Sequence, residues 1–243
     1  MKMKSLFLIP VLAIALTSCE ELFDSLDEAG LTEGEIIQGL KDALTHGTDS
    51  AVVTLTAVDG FFGDALVKIL LPEEAQPVYD VLQSVPILNG LVDETILTIN
   101  RAAEDAATEA APIFVDAITE MTIQDGLSIL HGNDTAATSY LKQKTFQNLF
   151  DAFEPKISNS LNKDLVLGVS AEDSYSSMLN VYNTASINGM LWDKIEKNTL
   201  SDQTTNKDLK GVFVKVAKEE KLIRDDPAHR VTDILEKVFA EQD

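Results

Sequence analysis

The stretch TEGEIIQGLKDALTHGTDSAVVTL, Thr32–Leu55, indicates the fold class of this chain. Thr32 followed by Glu35 is the signature of a capping box, in which two side chains satisfy the first backbone N–H groups of a helix. Apolar residues then recur at helical spacing, beginning with Ile36, Ile37, Leu40 and Leu44. The pattern predicts a long amphipathic helix that ends before Gly60.

Helical periodicity continues along most of the chain. Further helices are predicted over about 88–107, over Ile113–Met121 after Pro112, from Thr122 with Asp125 to Gly132, from Asn133 or Asp134 through Phe153, from Ser170 with Asp173 through Tyr182, and over 203–223 and 227–240. We expect Gly132 to adopt the left-handed conformation that often ends a helix. Leu66–Leu71 is typical of a short strand or an extended segment, and Pro72 of a helix start. The fold class predicted is all-α, with seven to nine helices.

The N-terminus has the pattern of a secretory signal peptide. Lys2 and Lys4 precede an apolar run over residues 6–16, followed by small residues and Cys19. The run is shorter than the roughly 20 apolar residues that a transmembrane helix needs. The sequence LTSC, residues 16–19, resembles the lipobox of bacterial lipoproteins, in which the cysteine is acylated and the signal is removed before it.

These features predict a signal peptide over 1–18, a lipidated N-terminus and acidic tether over 19–30, and one helical domain over 31–243. Cys19 is the expected lipid attachment site, because acyl chains such as palmitate hold a soluble domain on a bilayer. We therefore expect a lipoprotein of the bacterial cell envelope. Its expected place is the outer membrane, facing the periplasm or the cell surface.

Composition excludes several classes of protein. The 243 residues include 40 acidic and 19 basic side chains, for a formal net charge of −21. That charge opposes general nucleic-acid binding, which needs basic surface to displace counterions. A single cysteine excludes an intrachain disulfide framework and a cysteine-rich zinc module.

Positive charge is concentrated late in the sequence. Residues 19–130 contain three basic side chains, whereas ten lie between Lys194 and Lys237. A basic binding strip is one interpretation of Lys207, Lys210, Lys215, Lys218 and Lys221. We favour a solvated helix face, because acidic side chains at 219, 220, 225 and 226 dilute the positive field.

Several stretches of the sequence together resemble one known family. They are DGFFG (59–63) with ILLP (69–72), INRAAE (99–104), PIFVDAITEMT (112–122), ILHGNDTAAT (129–138) and IRDDPAHRVTDILEKVF (223–239). The family is an uncharacterised group of bacterial envelope proteins, catalogued as domain of unknown function 4197. The resemblance implies an exported, mostly helical protein, and it brings no activity, substrate or catalytic residue with it.

Arg101 is the most informative of the candidate site residues. It precedes Glu104 and Asp105 by three and four positions, where ion pairs form on a helix. We favour a paired arginine whose stem covers apolar surface over a contact to a ligand. With His131 and Asp134, it is a weak candidate for a ligand pocket that the fold would assemble.

No sequence pattern indicates catalysis, a metal or a cofactor. The histidines, His46, His131 and His229, are far apart and form no His-x-x-x-His or Glu-x-x-His pair. The nucleophile pattern Gly-x-Ser-x-Gly and the phosphate-binding pattern Gly-x-x-x-x-Gly-Lys are also absent. Asp226-Pro227 is explained as a helix cap followed by proline at the first helical position.

The leading hypothesis is a non-catalytic lipoprotein that binds an envelope protein or an apolar ligand. It predicts an exposed apolar patch or cleft beyond what a typical monomer shows. The alternative is an envelope hydrolase whose site is assembled from distant residues, with Arg101, His131 or Asp134 in a pocket. A structural spacer without a ligand is the third possibility.

Overall fold

The computed structural model describes residues 32–72, 75, 86–165, 168–185, 190–191, 193–195, 199–230 and 232–239. The predicted signal peptide, the tether with Cys19 and most of the helix predicted to begin at Pro72 lie outside these residues.

The described residues form eight α-helices and two short 3-10 helices, and no strand is present among them. The α-helices are α1 Glu33–Thr56, α2 Pro86–Ala106, α3 Ala110–Thr119, α4 Ile123–Leu130, α5 Ala136–Leu161, α6 Ala171–Ala185, α7 Leu200–Asp225 and α8 Asp233–Phe239. The 3-10 helices are Ala107–Glu109 and Pro227–His229. The predicted all-α class is confirmed.

The two longest helices, α5 and α7, pack against each other at the centre of the fold. Helix α1 packs on α7 and α3, while α2 packs on α5 and α6 packs on α7. Buried apolar side chains from all eight helices form one continuous core. Within it, Phe114 and Phe213 meet edge to face with ring centroids 6.1 Å apart, a favoured geometry for aromatic pairs.

Local capping signals predicted several helix starts correctly. Thr32 with Glu35 forms a capping box at α1, and Thr122 with Asp125 forms one at α4. At α6 the hydroxyl of Ser170 accepts a hydrogen bond from the Asp173 N–H at 3.0 Å. These caps are readable from sequence because both partners lie within one helical turn.

Gly132 differs from its prediction. It lacks the left-handed conformation, and Gly168 is the glycine with positive φ among the described residues. A Cβ on Gly132 would overlap the Cβ of Ala136 and approach the Ser128 carbonyl oxygen to 2.9 Å. Close packing of α4 against the start of α5, and not backbone conformation, therefore requires a glycine at this position.

The predicted cap of α5 is also wrong. The helix starts at Ala136, and its N-cap residue Thr135 makes no capping hydrogen bond. Asn133 instead closes a turn, since its Oδ1 accepts a hydrogen bond from the Thr135 N–H at 3.1 Å. Asp134 is exposed and does not cap the helix. The groups that satisfy this helix end come from α7 and are described below.

The end of the chain departs from the single helix predicted over 227–240. Asp226 caps Pro227–His229 as a 3-10 helix, accepting a hydrogen bond from the Ala228 N–H at 3.0 Å. Helix α8 begins only at Asp233. The Asp-Pro start was predicted correctly, but the turn that it caps is too short to be an α-helix.

Residues 66–71 are not part of a strand ladder among the described residues, although residues 68–70 are outside any helix or turn. The buried side chain of Asn100 on α2 pairs with this segment. Its Oδ1 accepts from the Ile69 N–H at 2.9 Å, and its Nδ2 donates to the Ile69 carbonyl at 2.8 Å. A side-chain amide thus replaces the pair of hydrogen bonds that a neighbouring strand would make.

Candidate functional site

Arg101 lies on α2 and is held by two carboxylates. Its Nη1 is 2.6 Å from Glu104 Oε2, and its Nη2 is 2.7 Å from Asp59 Oδ1. The hydrogen bond that Arg101 donates to Glu104, followed by the one that it donates to Asp59, raises the pKa of Arg101. The pair with Glu104 agrees with the sequence prediction, whereas the second partner is the distant Asp59 and not Asp105. The arginine charge is therefore neutralised within the chain.

The Glu104 carboxylate also orders the turn that contains the sequence DGFFG, residues 59–63. Glu104 Oε1 accepts hydrogen bonds from the Phe61 N–H at 3.2 Å and from the Phe62 N–H at 3.4 Å. Asp59 has a φ of 67°, a conformation uncommon for residues other than glycine. Arg101 and Glu104 thus act together to hold the connection after α1, which supports the structural interpretation of Arg101.

His131 and Asp134 lie in the α4–α5 connection. His131 is exposed, with Nδ1 2.7 Å from the Leu127 carbonyl oxygen of its own helix. Asp134 is exposed and lies 3.8 Å from the Nζ of Lys221. Among the described residues, no hydrogen bond or ion pair joins either side chain to Arg101.

Arg101 also lines a shallow depression of about 390 Å³ between α2 and the end of α5. Its other lining residues are Glu94, Leu97, Thr98, Ala102, Ser160, Lys163 and Leu165. His131 and Asp134 do not line this depression. The structure therefore gives the three candidate residues separate surroundings.

A buried ion pair, Glu220 with Arg224, connects α7 to two other helix ends. The Glu220 carboxylate accepts hydrogen bonds from the backbone N–H groups of Ala137 and Thr138 at 2.9 and 2.8 Å. Arg224 Nη2 lies 3.1 Å from Glu220 Oε1 and donates to the Ile129 carbonyl at 2.9 Å. A negative group thus meets the start of α5 and a positive group meets the end of α4, as the helix dipoles favour.

A second arginine closes α7 itself. Arg230 donates from Nε to the Ile223 carbonyl at 3.2 Å and from Nη2 to the Arg224 carbonyl at 2.8 Å. The ring of Phe239 on α8 lies 5.8 Å from the guanidinium carbons of both Arg224 and Arg230. The stretches ILHGNDTAAT and IRDDPAHRVTDILEKVF therefore meet in the fold, and their contacts with each other have a structural role.

The strongest candidate binding site lies between residues 66–71 and α7. This cleft has a volume of about 310 Å³ and is lined by Leu66, Val67, Lys68, Ile69, Leu70, Leu71, Lys207, Lys210, Gly211 and Val214. We refer to it as the lysine cleft. Leu66 and Leu70 are 73% and 55% exposed, so large apolar side chains face solvent at this site.

Three lysines give the cleft its charge. Lys68 Nζ lies 3.8 Å from the centroid of the Phe62 ring, in a cation–π contact. Lys207 Nζ lies 3.4 Å from the Leu70 carbonyl oxygen, and Lys210 is exposed. Cations and apolar side chains therefore share one concave surface.

Two other lysines of the alternative basic-strip interpretation, Lys215 and Lys221, form ion pairs outside the cleft. Lys215 is buried, and its Nζ lies 2.5 Å from Asp64 Oδ2, which lowers the pKa of Asp64. Lys221 pairs with Asp225 at 2.7 Å. The five lysines thus do not form one continuous strip, and only Lys207 and Lys210 line the cleft.

Asp208 is a buried carboxyl adjacent in sequence to Lys207. It has no exposed surface, and neither carboxylate oxygen has a hydrogen-bond partner in the part of the chain that the structure describes. Desolvation raises the pKa of Asp208 well above its ordinary value. Burial favours the neutral form of this carboxyl, and Asp208 does not line the lysine cleft.

Sequence reasoning did not find the lysine cleft, although it singled out both of its walls. The extended segment and the basic helix face were separate features, with Leu70 and Lys207 separated by 137 residues. No local pattern says that they meet. The available signal was Lys68, one of only three basic side chains among residues 19–130.

The described residues contain neither a candidate metal cluster nor a helix that could cross a membrane. No group of three or more His, Cys, Asp or Glu side chains there is arranged to hold a metal ion. No described helix is both long enough and apolar enough to cross a membrane.

Comparison with known proteins gives the family. No curated protein and no solved structure matches the chain. A family model described as "Protein of unknown function (DUF4197)" matches residues 30–240, a range that contains all eight helices. The chain therefore belongs to the DUF4197 family.

Proposed function

We propose that this protein is a lipid-anchored, non-catalytic binding module of the bacterial envelope, and that its ligand binds in the lysine cleft. The observation that carries the proposal is the combination of exposed apolar side chains with Lys68, Lys207 and Lys210 on one concave surface. Such a surface suits a ligand that has both an apolar part and a negative charge.

Charge distribution supports an anionic ligand. In a chain of net charge −21, most surfaces repel an anion, so three lysines around one cleft are a local exception. Asp64, which is two residues before Leu66 of the cleft lining, is already paired with Lys215. Asp208 is buried and favours its neutral form. An anion in the cleft would therefore meet little opposing charge from these two carboxyls.

The size of the cleft supports a small ligand or a short segment of a larger one. Its volume of about 310 Å³ is at the lower end of the range of roughly 300–1,000 Å³ for small-molecule sites. Leu66 and Leu70 would lose exposed apolar surface when a ligand binds, and this loss favours binding.

The anchor is supported by residues 1–19. The predicted signal peptide over 1–18 ends within the LTSC sequence of residues 16–19, so its removal would make Cys19 the new N-terminus. The acidic chain would be repelled from an anionic membrane surface, which keeps the lysine cleft accessible to envelope components. Cys19→Ala is expected to move the protein from the membrane fraction to the soluble fraction. A variant that stays membrane-bound would contradict the anchor.

Ligand binding can be tested with anilinonaphthalene sulfonate, an apolar anion whose fluorescence rises on binding. The full chain is placed in phosphatidylcholine nanodiscs, and a Lys207→Glu/Lys210→Glu variant is compared with Lys218→Glu, an exposed lysine outside the cleft lining. The comparison cancels the signal from lipid. We expect the double reversal to weaken binding at least about tenfold, since two favourable charges become repulsive. Equal binding by both variants would overturn the cleft as the site.

The hydrolase alternative rests on Arg101, His131 and Asp134. Arg101 is paired with Asp59 and Glu104, and the other two side chains lie in different surroundings. Among the described residues, no contact assembles these three side chains into one site.

A further inference from the structure

One wall of the lysine cleft has the exposure pattern of a strand with one buried face. Leu66 and Leu70 are 73% and 55% exposed, whereas Val67, Ile69 and Leu71 are 5%, 2% and 8% exposed. Lys68 is half-buried and lies between the two exposed leucines in the alternation. Leu66 and Val67 lie in a turn, whereas residues 68–70 are outside any helix or turn. If residues 68–70 run as an extended segment, their alternate side chains point to opposite faces, which gives this part of the wall an outer and an inner face.

The backbone of this wall is only partly satisfied within the chain, and the Lys68 N–H donates to the Asp64 carbonyl at 2.8 Å. Asn100 pairs with both the N–H and the carbonyl of Ile69. In an extended segment the neighbouring residues direct these groups to the opposite edge. No hydrogen bond among the described residues uses the Leu70 N–H or the Lys68 carbonyl.

The opposite edge faces α7. Lys207 of α7 approaches the Leu70 carbonyl at 3.4 Å, a distance that makes a weak hydrogen bond. The edge therefore opens into the lysine cleft, where a ligand can reach the Leu70 N–H and carbonyl together. These are the two backbone groups that pair with a single residue of an added antiparallel strand.

We infer that the ligand of the lysine cleft is an extended, acidic and apolar peptide segment of an envelope protein, bound as an added strand along Lys68–Leu70. This inference rests on the proposed function and specifies its ligand. The Leu70 N–H and carbonyl supply two backbone hydrogen bonds, as in other cases of strand addition. Carboxylates on the segment match Lys68, Lys207 and Lys210. An anionic lipid matches the charge, but it does not satisfy both the donor and the acceptor of Leu70.

Synthetic peptides test the inference without altering the protein. A short fluorescein-labelled peptide that alternates valine with glutamate is titrated with the full chain in phosphatidylcholine nanodiscs, and fluorescence polarisation reports binding. We expect binding, and a loss of at least about tenfold when lysine replaces glutamate. Methylation of alternate backbone nitrogens on the pairing edge should weaken binding about fivefold for each hydrogen bond lost, whereas methylation on the other edge should not. Equal binding by both methylated peptides would overturn strand addition.

Variants of the protein give a second readout. Leu70→Pro removes the N–H donor. Leu70→Ala also loses the leucine side chain but keeps the backbone N–H, so it is the matched control. We expect the proline variant to bind the glutamate peptide at least about fivefold more weakly than the alanine variant. Circular dichroism checks that both fold. If the proline variant does not fold, the methylated peptides decide the question.

The two proposals fail in different ways. If anilinonaphthalene sulfonate binds in the cleft but the glutamate peptide neither binds nor displaces it, the cleft remains a binding site and the peptide inference is wrong. If the charge reversals leave the binding of both probes unchanged, the proposed function is wrong as well. Displacement of the dye by the glutamate peptide and not by the lysine peptide supports both.

Discussion

Glu220 on α7 accepts two hydrogen bonds from Thr138 on α5, one from the backbone N–H at 2.8 Å and one from the hydroxyl at 2.7 Å. With the bond from the Ala137 N–H, one buried carboxylate satisfies the start of a 26-residue helix. The first N–H groups of a helix have no partner within it, so this distant side chain does the work of a local cap.

Replacement of Glu220 by alanine should strongly destabilise the fold. The substitution leaves the start of α5 unsatisfied and leaves Arg224 buried without its carboxylate. We expect a loss of about 3–5 kcal/mol in the free energy of unfolding, as for other broken buried ion pairs. Urea denaturation measures it, with Glu219→Ala as the neighbouring control. A loss below about 1 kcal/mol would show that the contact is not important for stability.

Asn100→Leu should destabilise the protein although leucine has a similar size and is apolar. The substitution leaves the buried N–H and carbonyl of Ile69 without their partners, at a cost of about 1–3 kcal/mol for each group. Hydrogen exchange should also become faster at the Ile69 amide. Asn206→Leu, on an exposed helix face, is the control and should change stability by less than about 0.5 kcal/mol. Unchanged exchange at Ile69 would contradict the pairing.

The contribution of Asp208 to the free energy of unfolding should fall as pH rises. Burial raises the pKa of this carboxyl, so the folded state holds its proton while the unfolded state ionises above a pH of about 4. The penalty is absent below the unfolded pKa and grows until the folded pKa is reached. Asp208→Asn stays neutral at every pH and should remove this decline.

The measurement for Asp208 is the free energy of unfolding of both proteins across a pH series. The advantage of Asp208→Asn over the native chain should increase with pH. Asp116→Asn is the control, since Asp116 is exposed and its substitution should not change the slope in the same way. A constant difference between native protein and Asp208→Asn would show that folding does not raise the pKa of Asp208.

Two glycines are expected to respond oppositely to alanine. A Cβ on Gly132 would overlap Ala136, so Gly132→Ala should destabilise the protein by about 1–3 kcal/mol. Gly90 lies within α2, and a Cβ there meets nothing within 4 Å. Gly90→Ala should therefore stabilise the protein by about 0.5–1 kcal/mol through better helix propensity. Thermal unfolding measures both changes, and shifts of the same sign would contradict the packing argument.

The sequence was most informative where the interacting residues are close in the chain. Thr32 with Glu35, Thr122 with Asp125, and Arg101 with Glu104 are all separated by three positions, so helical geometry alone brings them together. The all-α class follows from the same local periodicity. Local rules failed at Gly132, where the reason for glycine is contact with the next helix and not its own conformation.

The contacts that support the wall of the lysine cleft and the junction of α4, α5 and α7 are not local. Asn100 meets a residue 31 positions away, and Glu220 meets one 82 positions away. Asn100 and Glu220 can be recognised in the sequence only indirectly, because each is a polar residue among apolar ones on a buried helix face. That signal identifies a buried polar group and does not identify its partner, which depends on how the helices pack.

The cap supplied by Glu220 also affects the order in which the protein folds. The chain is synthesised from its N-terminus, and the proposed export also begins there, so α5 emerges before residue 220 does. During that interval the first turn of α5 lacks its capping carboxylate, and the Ile129 carbonyl lacks Arg224. The junction of α4, α5 and α7 therefore completes only when nearly the whole polypeptide has emerged, and a nascent chain that ends before α7 lacks these contacts.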